Sequence, residues 1–106
     1  MASGKLGIKN LSAGITTTVY TVPSSTLSAI SFNMVNTSST TDAYVTVAIS
    51  TTNTPVAGEY IEYNAKLNPY GVIERTGITM SADEKLVFNS DINNVNVRVY
   101  GIEEAI

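Results

Sequence analysis

The chain has 106 residues, of which 43% are apolar and 14% charged; its net charge is −3, and it contains neither histidine nor cysteine. That length fits a single domain spanning residues 1–106 and buries about 65% of the unfolded surface, enough for one modest core. The composition excludes disulfides, thiol nucleophiles, histidine general bases and Cys/His zinc sites.

Low charge here does not mean disorder, because apolar residues recur in regular alternation. The polar share is carried by Thr, Ser and Asn, residues suited to strands and turns. In chain order, a weak strand is expected at 5–11, followed by a break at Ala13-Gly14 and a second at 16–22, ended by Pro23-Ser24-Ser25. "AISFNMVN" then puts Ile30, Phe32 and Met34 on one face, with Ser31 and Asn33 on the other. After the polar stretch from Asn36 to Asp42, "YVTVAIS" alternates Val45, Val47 and Ile49 against Tyr44, Thr46, Ala48 and Ser50. Thr51 to Gly58 breaks the pattern. "YIEYNAKL" resumes it, with Ile61, Tyr63, Ala65 and Leu67 inward and Tyr60, Glu62, Asn64 and Lys66 outward. "NPYG" at 68–71 places Pro second and Gly fourth, the pattern of a type I turn. Strands near 72–78 and 84–89 flank a break at Ser81 to Asp83, and a single helical turn at most is expected over Ser81–Lys85. After Asp91 to Asn94, "VNVRVYG" sets Val95, Val97 and Val99 inward against Asn96, Arg98 and Tyr100.

Period 2 with one apolar face marks sheets packed on one side. Eight short strands with a turn signal about every dozen residues give an all-β, antiparallel β-sandwich, of jelly-roll or immunoglobulin-like topology. Phe32, Val47, Ile61 and Val97 are its expected core. The segment "MASGKLGIKNL" has no apolar run of the signal-peptide kind, and no stretch is long enough to span a bilayer, so no membrane partner is expected. The six basic residues, Lys5, Lys9, Lys66, Arg75, Lys85 and Arg98, are scattered, which argues against nucleic acid.

Chemistry is scarce. A carboxylate-pair glycosidase needs two acids flanking one bond, but Glu59 and Glu62, three apart in a strand, face opposite sides and read as rim charges. "NSDINN" at 89–94 offers a calcium ion only one carboxylate, Asp91, and reads instead as a turn with Asn in left-handed positions. "GKLG" lacks the spacing of a phosphate loop. No catalytic residue, metal ligand or cofactor is expected. Glu74 and Arg75 are adjacent, so one of them points coreward; they form either an edge ion pair or a polar contact between subunits. Tyr44, Tyr60 and Tyr100 fall on outward positions, which fits an interface, a sugar-stacking platform or a sheet covered on both faces.

"AGITTTVYTVPSSTLSAISFNMVN", together with "GVIERTGITMSADEKLVFNSD" and "NVNVRVYGIEE", resembles small structural modules of tailed-phage virions, of the kind found in marine and cyanobacterial phages. The resemblance spans residues 4–104. It implies a β-sandwich virion component, made in the host cytoplasm, without enzyme activity or cofactor, that acts by oligomerising on the particle. Capsid decoration and neck, tail, baseplate or fibre positions all remain open under it, with capsid or tail subunits as partners. A cysteine-free exposed domain gains durability from self-association, and a trimer is the expected form. The outward tyrosines and "MASGKLGIKNL", whose "KLGIKNL" could pair with a neighbouring copy, are the expected contacts. The alternative is a carbohydrate- or receptor-binding sandwich.

Overall fold

The structure is a computed structural model and describes residues 3–106. Its eight strands are β1 (Ser3–Leu11), β2 (Thr17–Thr21), β3 (Thr26–Asn36), β4 (Ala43–Ser50), β5 (Tyr60–Leu67), β6 (Val72–Met80), β7 (Lys85–Ser90) and β8 (Val95–Ala105). Each lies where alternation and turn residues put it. They form two antiparallel four-stranded sheets, ordered β1-β8-β3-β6 and β2-β7-β4-β5. β1 pairs with β8, β2 with β7, β3 with β6 and β4 with β5. The chain is therefore one long hairpin wrapped around itself, which is jelly-roll connectivity; the immunoglobulin-like alternative falls away.

The inner faces of both sheets supply the core. Phe32 on β3 and Phe88 on β7 meet edge-to-face across it, with ring centroids 5.3 Å apart and planes at 83°. Ile30, Met34, Val45, Val47, Leu86, Val95, Val97 and Val99 surround them, all buried. The expected parity holds throughout β3 and β8 and along β4 as far as Val47.

In β5 the parity fails. Val45 pairs with Ala65 but Val47 pairs with Glu62, so Thr46 faces two residues, Tyr63 and Asn64. This is a bulge, and Asn64 takes a left-handed backbone (φ 51) within it. Ile61 is a second extra residue, between the Val47–Glu62 and Ala48–Tyr60 pairs. Ile61 is consequently 39% exposed and Tyr63 71% exposed, while Glu62 turns inward. The expectation that Ile61 and Tyr63 belong to the core is overturned: each extra residue flips the strand's faces.

One smaller expectation changes as well. In the "NPYG" turn Gly71 N donates to the Asn68 carbonyl (2.7 Å), but Tyr70 has φ 58. A positive φ at the third position makes it type II rather than type I. Ser81 to Glu84 forms a turn, closed by Glu84 N donating to Ser81 O (3.2 Å), within the expected limit of at most a single helical turn. "KLGIKNL" is part of β1, which pairs along its length with β8 of the same chain and has its other side at the sheet edge. Met1 and Ala2, the start of the expected contact segment, lie outside the described residues.

β1, β2, β5 and β6 are the sheet edges. Every register irregularity adds its extra residue to one of them: Leu6 in β1, Val19 in β2, Ile61 and the Tyr63-Asn64 step in β5, and the Thr76-Gly77 step in β6. The central pairings β3–β8 and β4–β7 run without interruption.

Candidate functional site

The residues singled out from the sequence do not converge. Tyr44 and Tyr60 lie on the outer face of the β2-β7-β4-β5 sheet, Tyr44 opposite Lys66 at one end of β4 and Tyr60 opposite Ala48 near the other. Tyr100 lies on the outer face of the other sheet, opposite Ser31 and Lys5. Its hydroxyl donates to Glu74 Oε2 (3.0 Å), and this hydrogen bond to a carboxylate is the main reason the phenol is held above its ordinary pKa. Arg75 sits opposite Phe32 and so shares the inward parity of β6. There it ion-pairs with Glu62 of β5, tying the edge strands of the two sheets together along one open side of the sandwich. Glu74 and Arg75 thus face opposite ways, as adjacent strand residues must, and within the chain each has its own partner. Glu59 precedes β5, and its carboxylate accepts from Val56 N (2.9 Å), whereas the Glu62 carboxylate is held by Arg75. In the 91–94 turn Asp91 accepts from Tyr44 N (2.8 Å) and Asn94 has φ 67, the left-handed asparagine expected there.

Two arrangements were not legible beforehand. The first is a buried polar cluster. Tyr20, 7% exposed among core residues, shares a hydrogen bond with Ser28 Oγ (2.7 Å) and donates to Glu103 Oε2 (2.5 Å). Burial, reinforced by the neighbouring carboxylate, pushes the Tyr20 phenol up to about 12 from 10. Folding therefore favours the neutral phenol: the stabilisation is complete below about pH 10, where the unfolded chain ionises, and is lost as pH rises to about 12. The loss amounts to roughly 2–3 kcal/mol at 1.36 kcal/mol per pKa unit. Tyr20→Phe, which lacks the two hydrogen bonds, is expected to be about 1–2 kcal/mol less stable at neutral pH. Urea midpoints of the two proteins should converge as the pH is raised through that window. Parallel midpoint curves would exclude this role for Tyr20.

The second is a cleft of about 340 Å³ on the outer face of the β2-β7-β4-β5 sheet, lined by Thr16, Thr46, Ala48, Pro55, Tyr60, Tyr63, Asn64, Val87, Phe88 and Asn89. Ala48 and Val87, cross-strand partners on β4 and β7, are each 1% exposed and make an apolar floor outside the main core. The 51–59 loop forms one flank. Serine and threonine hydroxyls fold it: Ser50 Oγ accepts from Thr52 N (3.1 Å) and Thr52 Oγ1 from Thr54 N (3.2 Å). Thr18 Oγ1 on β2 reaches across to Asn53 Oδ1 (2.6 Å) and pins the loop over the sheet. The β5 bulge supplies the aromatic wall by turning Tyr63 outward beside Tyr60, with ring centroids 4.9 Å apart and planes at 72°. Opposite, Asn89 Nδ2 donates to Thr16 Oγ1 (3.0 Å); Thr46 Oγ1 accepts from Asn64 N (3.2 Å).

No protein-family model matches the chain, and the search of curated proteins returns no match to it.

Proposed function

We propose that the protein is a non-enzymatic structural component of a tailed-phage virion, acting by self-association on the particle. The observation that carries this reading is the jelly-roll wrap, an architecture that recurs in viral capsid domains. The resemblance of residues 4–104 to small phage structural modules supports it, as does a composition without histidine or cysteine. The bulged, charge-bearing edges direct self-association to the sheet faces, because such edges resist strand addition. On the outer face of β1-β8-β3-β6, Ile8 and Ile102 are each more than half exposed, and this face also carries Tyr100. A standard interface of about 800 Å² per partner would cover much of it. Mass spectrometry of purified virions should find the chain at many copies per particle; complete absence there removes the reading. Light scattering should give three times the chain mass, and a clean monomer leaves only assembly templated by the particle. A second reading, a carbohydrate- or receptor-binding module, is favoured by the tyrosine-walled cleft.

A further inference from the structure

We infer that the cleft on the outer face of the β2-β7-β4-β5 sheet is a binding site for a neutral saccharide, with Tyr63 and Tyr60 as the stacking wall and Thr16, Thr46, Asn64 and Asn89 as the hydrogen-bonding groups. This deepens the second reading and stands independently of assembly on a virion.

Four features specify the ligand class. The first is charge: none of the lining residues is acidic or basic, so nothing in the cleft selects for a charged ligand. The second is the wall. Tyr63 is 71% exposed beside Tyr60, and an exposed ring presents an apolar face to the C–H side of a pyranose while its hydroxyl stays wet. The third is the complement of polar groups. Asn89 uses one amide hydrogen on Thr16, which leaves its carbonyl as an acceptor; Thr46 Oγ1 accepts from the backbone and keeps its proton to donate. The Asn64 carboxamide is exposed and adds a donor and an acceptor. Alternating donors and acceptors beside an apolar wall match a sugar, which offers one C–H face and a rim of hydroxyls. The fourth is backbone. Tyr63 reaches this face only because a non-glycine residue, Asn64, holds a left-handed conformation in the bulge. Such strain concentrates at binding sites, where the surrounding structure holds it in place, and bulges are a means of re-aiming one side chain. The volume, about 340 Å³, lies in the range of small-ligand clefts.

The test is an amide chemical-shift titration of the intact chain with glucose, galactose, mannose, maltose, lactose and cellobiose, with sorbitol as a polyol that cannot stack as a ring. The expected result is saturable shifts at Tyr60, Tyr63, Asn64 and Asn89 with at least one of the sugars and none with sorbitol. Tyr63→Ala is expected to weaken binding roughly tenfold. Tyr63 is exposed enough for that variant to fold, which circular dichroism checks. Tyr100→Ala, on the opposite sheet, should bind as the parent does. Absence of saturable shifts with every sugar overturns the inference, as does binding that survives Tyr63→Ala unchanged. Concentration-dependent changes at the same amides without sugar would assign the cleft to a second copy of the chain, and would overturn it too.

Discussion

Val97→Asp is expected to yield no soluble folded protein. Val97 is 3% exposed on β8, paired with Met34 of β3 on one side and Lys9 of β1 on the other, and it faces the opposite sheet. Aspartate there loses the apolar contribution of the valine, about 1.5–3 kcal/mol. It also buries a carboxylate: Lys9, opposite on β1, is exposed at the sheet edge, and a buried charge left unpaired costs about 3–5 kcal/mol more. Raising its own pKa and entering neutral would lower that cost without removing it. A domain of this kind has roughly 5–15 kcal/mol in all. The matching control is Asn96→Asp, one residue away on the exposed outer face, where the same charge should change stability by less than about 0.5 kcal/mol. Expression, circular dichroism and thermal melting decide the matter. A Val97→Asp protein that melts like the parent would mean that β8 is turned the wrong way round.

The contrast between β8 and β5 shows what the sequence carries. In β8, alternation runs unbroken, and its valines occupy the core as their spacing implies. In β5 the alternation of "YIEYNAKL" is equally regular on paper, yet Ile61 and Tyr63 stand outside. Period-2 reasoning assumes one residue per partner, and a bulge breaks that assumption without altering the letters. The available sign was Asn64, a residue type that tolerates a left-handed backbone, but an asparagine in a strand reads equally well as an outward polar position. The cleft was hidden for a further reason. Its flank, the 51–59 loop, and its wall on β5 follow β4 directly in the chain, but β7, which completes the floor, and Thr16 are brought to them only by the wrap of the chain. The Thr-rich loop read as a break, which it is; that it is pinned to Thr18 on β2 is a tertiary fact.

The placement of irregularities also bears on how the protein meets partners. Central strands pair without a slip, while every edge strand carries at least one extra residue, and β1, β5 and β6 also carry charge at Lys5, Lys9, Glu62, Lys66, Glu74 and Arg75. Bulges twist a strand away from a flat template and charges resist dehydration, so the edges are poor sites for adding a further strand. Self-association of the kind proposed would therefore use faces and loops. The two outer faces differ: one bears Ile8, Ile102 and Tyr100, the other the tyrosine-walled cleft. Self-association on the first would leave the second open to the proposed ligand.

Gly101→Ala is expected to cost roughly 3–5 kcal/mol, combining overpacking with backbone strain at a residue of positive φ. Gly101 lies inside β8 opposite Ile30, in the long uninterrupted β3–β8 ladder, with φ 150. A methyl group there would stand 2.2 Å from the Ala29 carbonyl oxygen and 2.8 Å from the Ile30 Cα. Both are backbone atoms of a central strand, so no side-chain rotation relieves the contact; β3 and β8 must separate, at the expense of their hydrogen bonds. Gly14→Ala provides the comparison. Gly14 has φ 71, but an added Cβ there meets nothing within 4 Å. Its cost is the dihedral alone, about 1–2 kcal/mol. The difference between the two variants therefore reports the close approach of β3 and β8 together with the difference between their dihedrals, φ 150 and φ 71. Urea denaturation should place the Gly101→Ala midpoint well below that of Gly14→Ala. Equal midpoints would mean that the two central strands of this sheet have more room at Ile30 than their pairing allows.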